Sequence, residues 1–319
     1  MIKYCSGCGI KLQTINKNEE GYIPENKYIE SLYCQRCFRM THYGDLSKDN
    51  TLYNELDLIN KINEKNNFTL FLVDFLCISN EVINLFRKIN TPKCLIVNKC
   101  EILPKFLKRE KLKEYLKDNY NIDEVIIKGN KNREASIILN YLNKNNVRYA
   151  NLVGLSNSGK STLINDLLDL KMSNTPRLTV NKKENTTLDF ITIKVDDSLT
   201  LIDTPGFIKP TINIKKGKKI RSFIFQMKEN ETLNLTEDLY INFSNDCNIN
   251  FFTDYNNERV IKKNYKSLDY IYELDIDPST DLVILGLGFI SFKSGTRIKT
   301  NISKEYLSLR KSIFGGQDE

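Results

Sequence analysis

The stretch GLSNSGKS, residues 154–161, decides the fold. It fits G-x-x-x-x-G-K-[ST] at every defined position, with apolar YANLV (149–153) before it and helix-like TLINDLLDL (162–170) after it. A strand, a glycine-rich turn and a helix in that order make a phosphate-binding loop, whose backbone N–H groups and helix N-terminus cradle an anion. The expected contacts are Gly154, Asn157, Ser158, Gly159, Lys160, Ser161 and Thr162. Lys160 would reach the β- and γ-phosphates, and the Ser161 hydroxyl would sit on Mg²⁺.

Working outward, DTPG (203–206) follows the apolar strand LTLI. Asp203, at the carboxyl end of a strand beside such a loop, is placed to hold Mg²⁺ directly or through water. Gly206 leaves its backbone N–H open to a γ-phosphate. Between the loop's helix and the next strand lie Thr186 and Thr187, where a switch threonine that ligates the magnesium belongs. Loop, threonines and DTPG together read as a GTPase-type switch. The fourth element is out of order. N-K-x-D is the tetrapeptide that reads guanine, and NKCE (98–101) lies 56 residues before Gly154 instead of after DTPG, with Glu101 in place of Asp.

Around these motifs, short apolar runs alternate with helix-like segments from about 65 to 210, the pattern of a mostly parallel α/β sheet. Buried strands are expected at FTLFLVD (68–74), KCLIVN (93–98), EVIIK (124–128), YANLVG (149–154) and LTLID (199–203), and helices within 105–119 and 133–144. LDFITIKV (188–195) alternates as an edge or half-exposed strand would. The remainder, to residue 319, has strand-rich, mixed patterning. Three regions follow: a small element at 1–50, an α/β domain at 51–210 and a carboxyl-terminal domain at 211–319.

The first region is decided by cysteine. Cys5 and Cys8 form one C-x-x-C pair and Cys34 and Cys37 another, with 25 residues between them. Each two-residue spacer lets both thiolates face one ion, and four thiolates suit a closed tetrahedral zinc site that helps a small segment fold. The same donors would fit iron in a rubredoxin-like site. Disulfides fit poorly, because MIKYCSGCGI runs straight into the first pair without a secretory pattern. A cytoplasmic protein with no membrane partner is expected. The apolar runs FTLFLV and LVILGLGFISF are too short to span a bilayer. With one histidine, His42, in the chain, catalysis built on histidine has almost nothing to work with.

The net charge of +7 favours a polyanionic partner. KKGKKIR (215–221) concentrates five cations in seven residues, which reads either as a solvated loop or as a phosphate-neutralising patch on RNA.

These motifs, in this order, resemble those of circularly permuted GTPases of the YqeH type. CSGCGIKLQT, GYIP and CQRCFRM are similar to that family's amino-terminal zinc element, and STDLVILGLGFISF (279–292) to a stretch of its carboxyl-terminal domain. The resemblance implies a GTPase, slow in isolation, acting with the small ribosomal subunit or its precursor and with ribosomal RNA. It implies GTP or GDP, Mg²⁺ and Zn²⁺ as bound species, and K⁺ on Asn157. It places Phe207 where Ras-like proteins carry a water-positioning glutamine. It also makes DTPG lead directly into the basic cluster, so that movement at Gly206 would pull on an RNA-binding surface.

By the same resemblance, Asn98 touches the guanine edge, the Lys99 stem covers the base and Gly129 reads the guanine oxygen with its N–H. Two departures bear on that pocket. Glu101 is one methylene longer than Asp, and Lys128-Gly129 stands where relatives carry Ser-Ala. Two readings stay open: a switch GTPase, or a zinc-containing RNA-binding assembly factor with a degenerate nucleotide site. An ATPase fits DTPG and N-K-x-E less well.

Overall fold

The computed structural model describes residues 3, 11–16, 21–28, 34–35, 55–100, 108–129, 134–156, 158–172, 180–181, 190–212, 214, 216–255, 261–263 and 269–315. In chain order, the first half contains α1 (Glu55–Lys65), β1 (Phe68–Asp74), α2 (Asn80–Lys88), β2 (Lys93–Asn98), α3 (Arg109–Tyr120) and β3 (Val125–Ile127). Then come α4 (Ala135–Lys144), β4 (Tyr149–Gly154), α5 (Lys160–Met172), β5 (Val180–Asn181), β6 (Ile191–Lys194) and β7 (Thr200–Asp203). The strands make one sheet in the order β3-β2-β1-β4-β7-β6-β5. Pairing is parallel from β3 to β2, β1 to β4 and β4 to β7, and antiparallel from β7 through β6 to β5. The parallel strands read as unbroken apolar runs because helices cover both faces of such a sheet. Half-exposed β6 has β5 beside it, so the sheet extends one short strand past the expected edge.

Local chemistry sets the element ends. Ser79 caps α2, its Oγ accepting from the Val82 N–H at 3.3 Å. α3 stops at Asn121, which takes the left-handed conformation at φ 55° and returns its N–H to the last turn. Asp74 ends β1 by accepting the Leu76 N–H at 3.0 Å.

Two compact units divide the chain. One comprises residues 1–72, 89–94 and 131–208, and the other 73–88, 95–130 and 209–319. In the first, β1 pairs with β4 from Phe68↔Ala150 to Leu72↔Gly154, and α5 begins immediately after the phosphate loop.

The second unit carries two five-stranded antiparallel sheets, β12-β9-β10-β16-β13 and β17-β14-β15-β11-β8. Their strands are β8 (Lys216–Met227), β9 (Thr232–Asn234), β10 (Tyr240–Phe243), β11 (Cys247–Tyr255), β12 (Ile261–Lys263), β13 (Tyr272–Ile276), β14 (Thr280–Ile284), β15 (Gly288–Phe292), β16 (Thr296–Thr300) and β17 (Leu307–Lys311). Alternate residues of both sheets, among them Ile241, Phe243, Ile249, Phe251, Leu282, Ile290 and Ile298, share one apolar core. The opposite face of the β14–β15 hairpin is buried too. Phe75 stacks edge-on to Phe289 at 5.7 Å, and the Tyr115 hydroxyl donates to the Lys311 carbonyl at 2.7 Å. Burial on both faces explains why LVILGLGFISF contains almost no polar residue.

The basic cluster lies mostly on a strand. β8 begins at Lys216, forms one edge of its sheet and pairs with β11. Arg221 pairs with Thr253 and Lys216 with Tyr255, and the register breaks between them. No helix among the described residues is long and apolar enough to cross a membrane.

Candidate functional site

The phosphate loop is built in the first unit. β4 delivers Gly154 against β1 so closely that a Cβ there would lie 2.4 Å from the Leu72 carbonyl oxygen and 2.7 Å from Ser158 Oγ. Only glycine fits that approach. The chain then turns, Ser158 donates its N–H to the Leu155 carbonyl at 3.2 Å, and α5 starts with Leu163 bonded back to Gly159 at 2.9 Å. Lys160, Ser161 and Thr162 form the first turn, where helix N–H groups and the helix dipole favour an anion.

DTPG is drawn to this loop by backbone bonds. Past the end of β7, the Thr204 N–H and hydroxyl both donate to the Leu152 carbonyl, at 3.2 and 2.9 Å. Phe207 donates to the Gly154 carbonyl at 2.9 Å and accepts from the Ser156 N–H at 3.0 Å. Between these ties, Gly206 faces the loop: a Cβ on it would sit 2.9 Å from the Ser156 nitrogen and 3.0 Å from Lys160 Nζ. Phe207 itself is buried beside the Phe71 ring at 6.2 Å, so its side chain is a core group.

The charges here are poised. Lys160 donates to the Leu155 carbonyl at 3.3 Å. Burial lowers the pKa of its ammonium, against the opposing pull of Asp203. Asp203 is buried in turn, which pushes its carboxyl up to about 6, against the opposing pull of Lys160. Its Oδ1 is enclosed without a hydrogen-bond partner. An enclosed carboxylate oxygen at a strand end beside a phosphate loop is chemically suited to a divalent cation.

That burial has a measurable consequence. Because the folded value lies above the ordinary 3.8, the cost of the charge is absent below about pH 4, grows up to about pH 6 and is complete above it. Asp203→Asn, which has no charge to bury, should therefore stabilise the ligand-free protein at pH 7.5 by at most roughly 3 kcal/mol. The gain should vanish near pH 4. Thermal melts at the two pH values check this, and an equal shift at both would contradict it.

The second unit holds the residues expected to read a base. Asn98 closes β2 and is buried. Lys99 follows in the left-handed region at φ 62°, a conformation that costs a side-chain-bearing residue about 1–3 kcal/mol. Its ammonium is ion-paired to Asp74 and lies 3.6 Å from Asp254 Oδ2. Burial alone would lower the Lys99 pKa; the Asp74 charge and hydrogen bond, with Asp254 behind them, outweigh it and raise the pKa well above the ordinary lysine range. The Cys100 N–H donates to the Lys128 carbonyl at 3.0 Å, and the Lys128 N–H to Val97 at 2.8 Å, which joins the NKC turn to the end of β3. Lys128, 1% exposed, turns its ammonium to the Gly129 carbonyl at 3.1 Å. A buried ammonium therefore stands where the resemblance led one to expect a small hydroxyl.

The structure thus brings Gly154, Ser158, Gly159, Lys160, Ser161, Thr162, Asp203 and Gly206 together in one unit, and Asn98, Lys99 and Gly129 in the other. Glu101, Asn157, Thr186 and Thr187 lie outside the described residues, as do Cys5, Cys8 and Cys37. Cys34 is described, and it is buried with Leu12, Ile23 and Tyr28. No group of three or more His, Cys, Asp or Glu side chains among the described residues could hold a metal ion. Sequence reading missed Asp74 and Asp254. The first had a signal, an acid closing an apolar strand; the second, inside NFFTDY, had none.

Residues 150–272 match the model of a protein family described as 50S ribosome-binding GTPase. Over 252 residues the chain is 30% identical to the uncharacterized protein YqeH of Bacillus subtilis (strain 168), a match covering 72% of this chain and 69% of that one. It is also 30% identical over 128 residues to Nitric oxide-associated protein 1 of Mus musculus, covering 33% of this chain and 18% of that protein.

Proposed function

The chain belongs to the same family of GTPases as YqeH, and from that premise we propose that it binds and hydrolyses GTP as a Mg²⁺-dependent switch in small ribosomal subunit assembly. The observation that carries this reading is the grouping of Lys160, Asp203 and Gly206 around one loop. The loop N–H groups and the first turn of α5 bind the β- and γ-phosphates, and Lys160 contributes its charge there. Asp203, Ser161 and Thr187 hold Mg²⁺, which supplies charge neutralisation at the phosphate oxygens. Gly206 offers its N–H to the γ-phosphate and registers its departure, Thr186 and Thr187 acting as the partner switch. Asn157 is a ligand for K⁺, which substitutes for the absent glutamine at position 207. Asn98 and Gly129 read the guanine edge, Lys99 covers its face and Glu101 accepts from its amine and N1–H.

The order of these parts is that of a circularly permuted domain. The family match begins at residue 150, after NKCE, and the strand bearing Asn98 sits in the same sheet as β4 despite preceding it in the chain. In the carboxyl-terminal unit, Ile212 donates its N–H to Leu285 at 2.8 Å, so the segment after DTPG is anchored to the β14–β15 turn shortly before the cationic strand β8. RNA is the polyanion that strand would meet. The amino-terminal Cys5, Cys8, Cys34 and Cys37 hold one zinc; metal analysis of purified protein should find about one zinc per chain, lost in Cys34→Ser. The protein works in the cytoplasm.

A second reading is favoured by one observation, the buried Lys128. If it crowds the base, the chain is an RNA-binding assembly factor with weak nucleotide selectivity. Cosedimentation of the protein with isolated small and large ribosomal subunits, with GDP and with a non-hydrolysable GTP analogue, separates these outcomes. The switch reading expects at least about tenfold tighter binding to small subunits in one nucleotide state. Binding indifferent to nucleotide supports the second reading. Preference for the large subunit would support the description of the matched family over the small-subunit assignment.

A further inference from the structure

The ion pairs on Lys99 come from two directions, and only one of them is local. Asp74 stands at the end of β1, its other oxygen pinned by the Leu76 N–H. Asp254 belongs to β11, a strand of the carboxyl-terminal sheet, about 155 residues further along the chain. Both carboxylates are almost wholly buried, and the lysine side chain is 26% exposed.

Asp254 lies where the register of the sheet breaks. β11 pairs with β8 in regular register from Cys247↔Met227 to Thr253↔Arg221, then slips between Thr253 and Tyr255. The extra residues, 217–220, stand on β8, so β8 carries the bulge and Asp254 keeps its place on β11 opposite it. Asp254 is fastened on either side: Thr253 donates its hydroxyl to the Leu287 carbonyl at 2.5 Å and accepts the Tyr255 N–H at 2.9 Å. Neighbouring Gly288 leaves no room for a Cβ, which would lie 2.0 Å from the Phe252 carbonyl oxygen. The result is a buried carboxylate, costly to desolvate, delivered to the lysine whose backbone is held in the left-handed region.

We infer that Asp254 is a positioning residue for guanine-nucleotide binding: with Asp74 it fixes Lys99 in the conformation that lays its stem on the base. The inference rests on the assignment of Lys99 to the base. It goes beyond that assignment by making strand β11 of the carboxyl-terminal sheet part of the base pocket's support. Because such coupling is reciprocal, occupancy of the base pocket stiffens β11 around Asp254 as Asp254 steadies Lys99.

A double-mutant cycle on the full chain tests it, with GDP affinity measured for wild type, Asp254→Asn, Lys99→Ala and the double variant. Asp254→Asn should weaken GDP about fivefold when Lys99 is present and less than about twofold when it is alanine. Affinity for magnesium tripolyphosphate, which has no base, should be the same in all four. Equal losses on both backgrounds, or a loss shared by tripolyphosphate, would overturn the inference and leave Asp254 a structural residue. Wild type failing to bind GDP would sink the nucleotide assignment itself, a distinct result. Should Asp254→Asn not fold, amide exchange in the wild type decides. Residues 252–255 should exchange more slowly with GDP than with tripolyphosphate, and no difference would overturn the inference.

Discussion

Lys160→Ala removes GTP binding while leaving the fold intact. The Lys160 ammonium lies half-buried beside Gly206 and is bonded only weakly, at 3.3 Å, to the Leu155 carbonyl. Charge-assisted bonds to two phosphate groups are each worth about 1.5–3 kcal/mol, so their loss should weaken GTP at least a hundredfold, and hydrolysis should fall with it. The ligand-free protein should change little, because relief from desolvating that charge offsets the loss of its pull on Asp203. Equilibrium binding, paired with a urea midpoint, checks both halves. Affinity within about threefold of wild type would show that phosphate binding does not depend on the loop lysine.

Arg310→Leu should have the largest effect on stability. Arg310 and Asp281 are both fully buried, their Nε and Oδ2 3.1 Å apart. The carboxylate also accepts the Ile313 N–H at 3.1 Å, and the guanidinium packs on the Phe289 ring at 4.4 Å while donating to the Ile78 carbonyl. The arginine therefore ties β17 to β14 and to the segment that leaves β1. Removing it strands Asp281 without a counter-charge, which costs about 3–5 kcal/mol. Replacing both partners by apolar residues should recover much of that loss, because no buried charge then remains. Urea denaturation followed by far-UV circular dichroism measures both variants. A single variant within about 1 kcal/mol of wild type would mean that water reaches Asp281.

These two residues also mark where sequence reading succeeds and where it stops. Lys160 was legible because its partners are local: a strand, a turn and a helix N-terminus consecutive in the chain specify what the lysine does. The ends of β1, β2 and β4 were legible for a related reason, since each is an apolar run closed by a polar residue or glycine. Arg310 was not, because its contacts to Asp281 and Ile78 span 29 and 232 residues, and no periodicity encodes such a pairing. Asp254 was hidden likewise, because its contact with Lys99 spans 155 residues. The basic cluster was read by charge alone, and charge does not distinguish a loop from an edge strand. At Lys128 the expected hydroxyl position is filled by a lysine that folds back on its neighbour's carbonyl, a conformation that composition does not disclose.

One measurement reaches the base pocket directly. GTP, GDP and ATP are competed at equilibrium against a fluorescent GDP analogue, with Mg²⁺, in KCl and in NaCl. A guanine-reading pocket built on Asn98, Lys99 and Gly129 should favour GTP and GDP over ATP by about a hundredfold, and the K⁺ assignment predicts tighter GTP in KCl. ATP competing on equal terms would contradict guanine recognition, leaving a phosphate site that does not recognise its base.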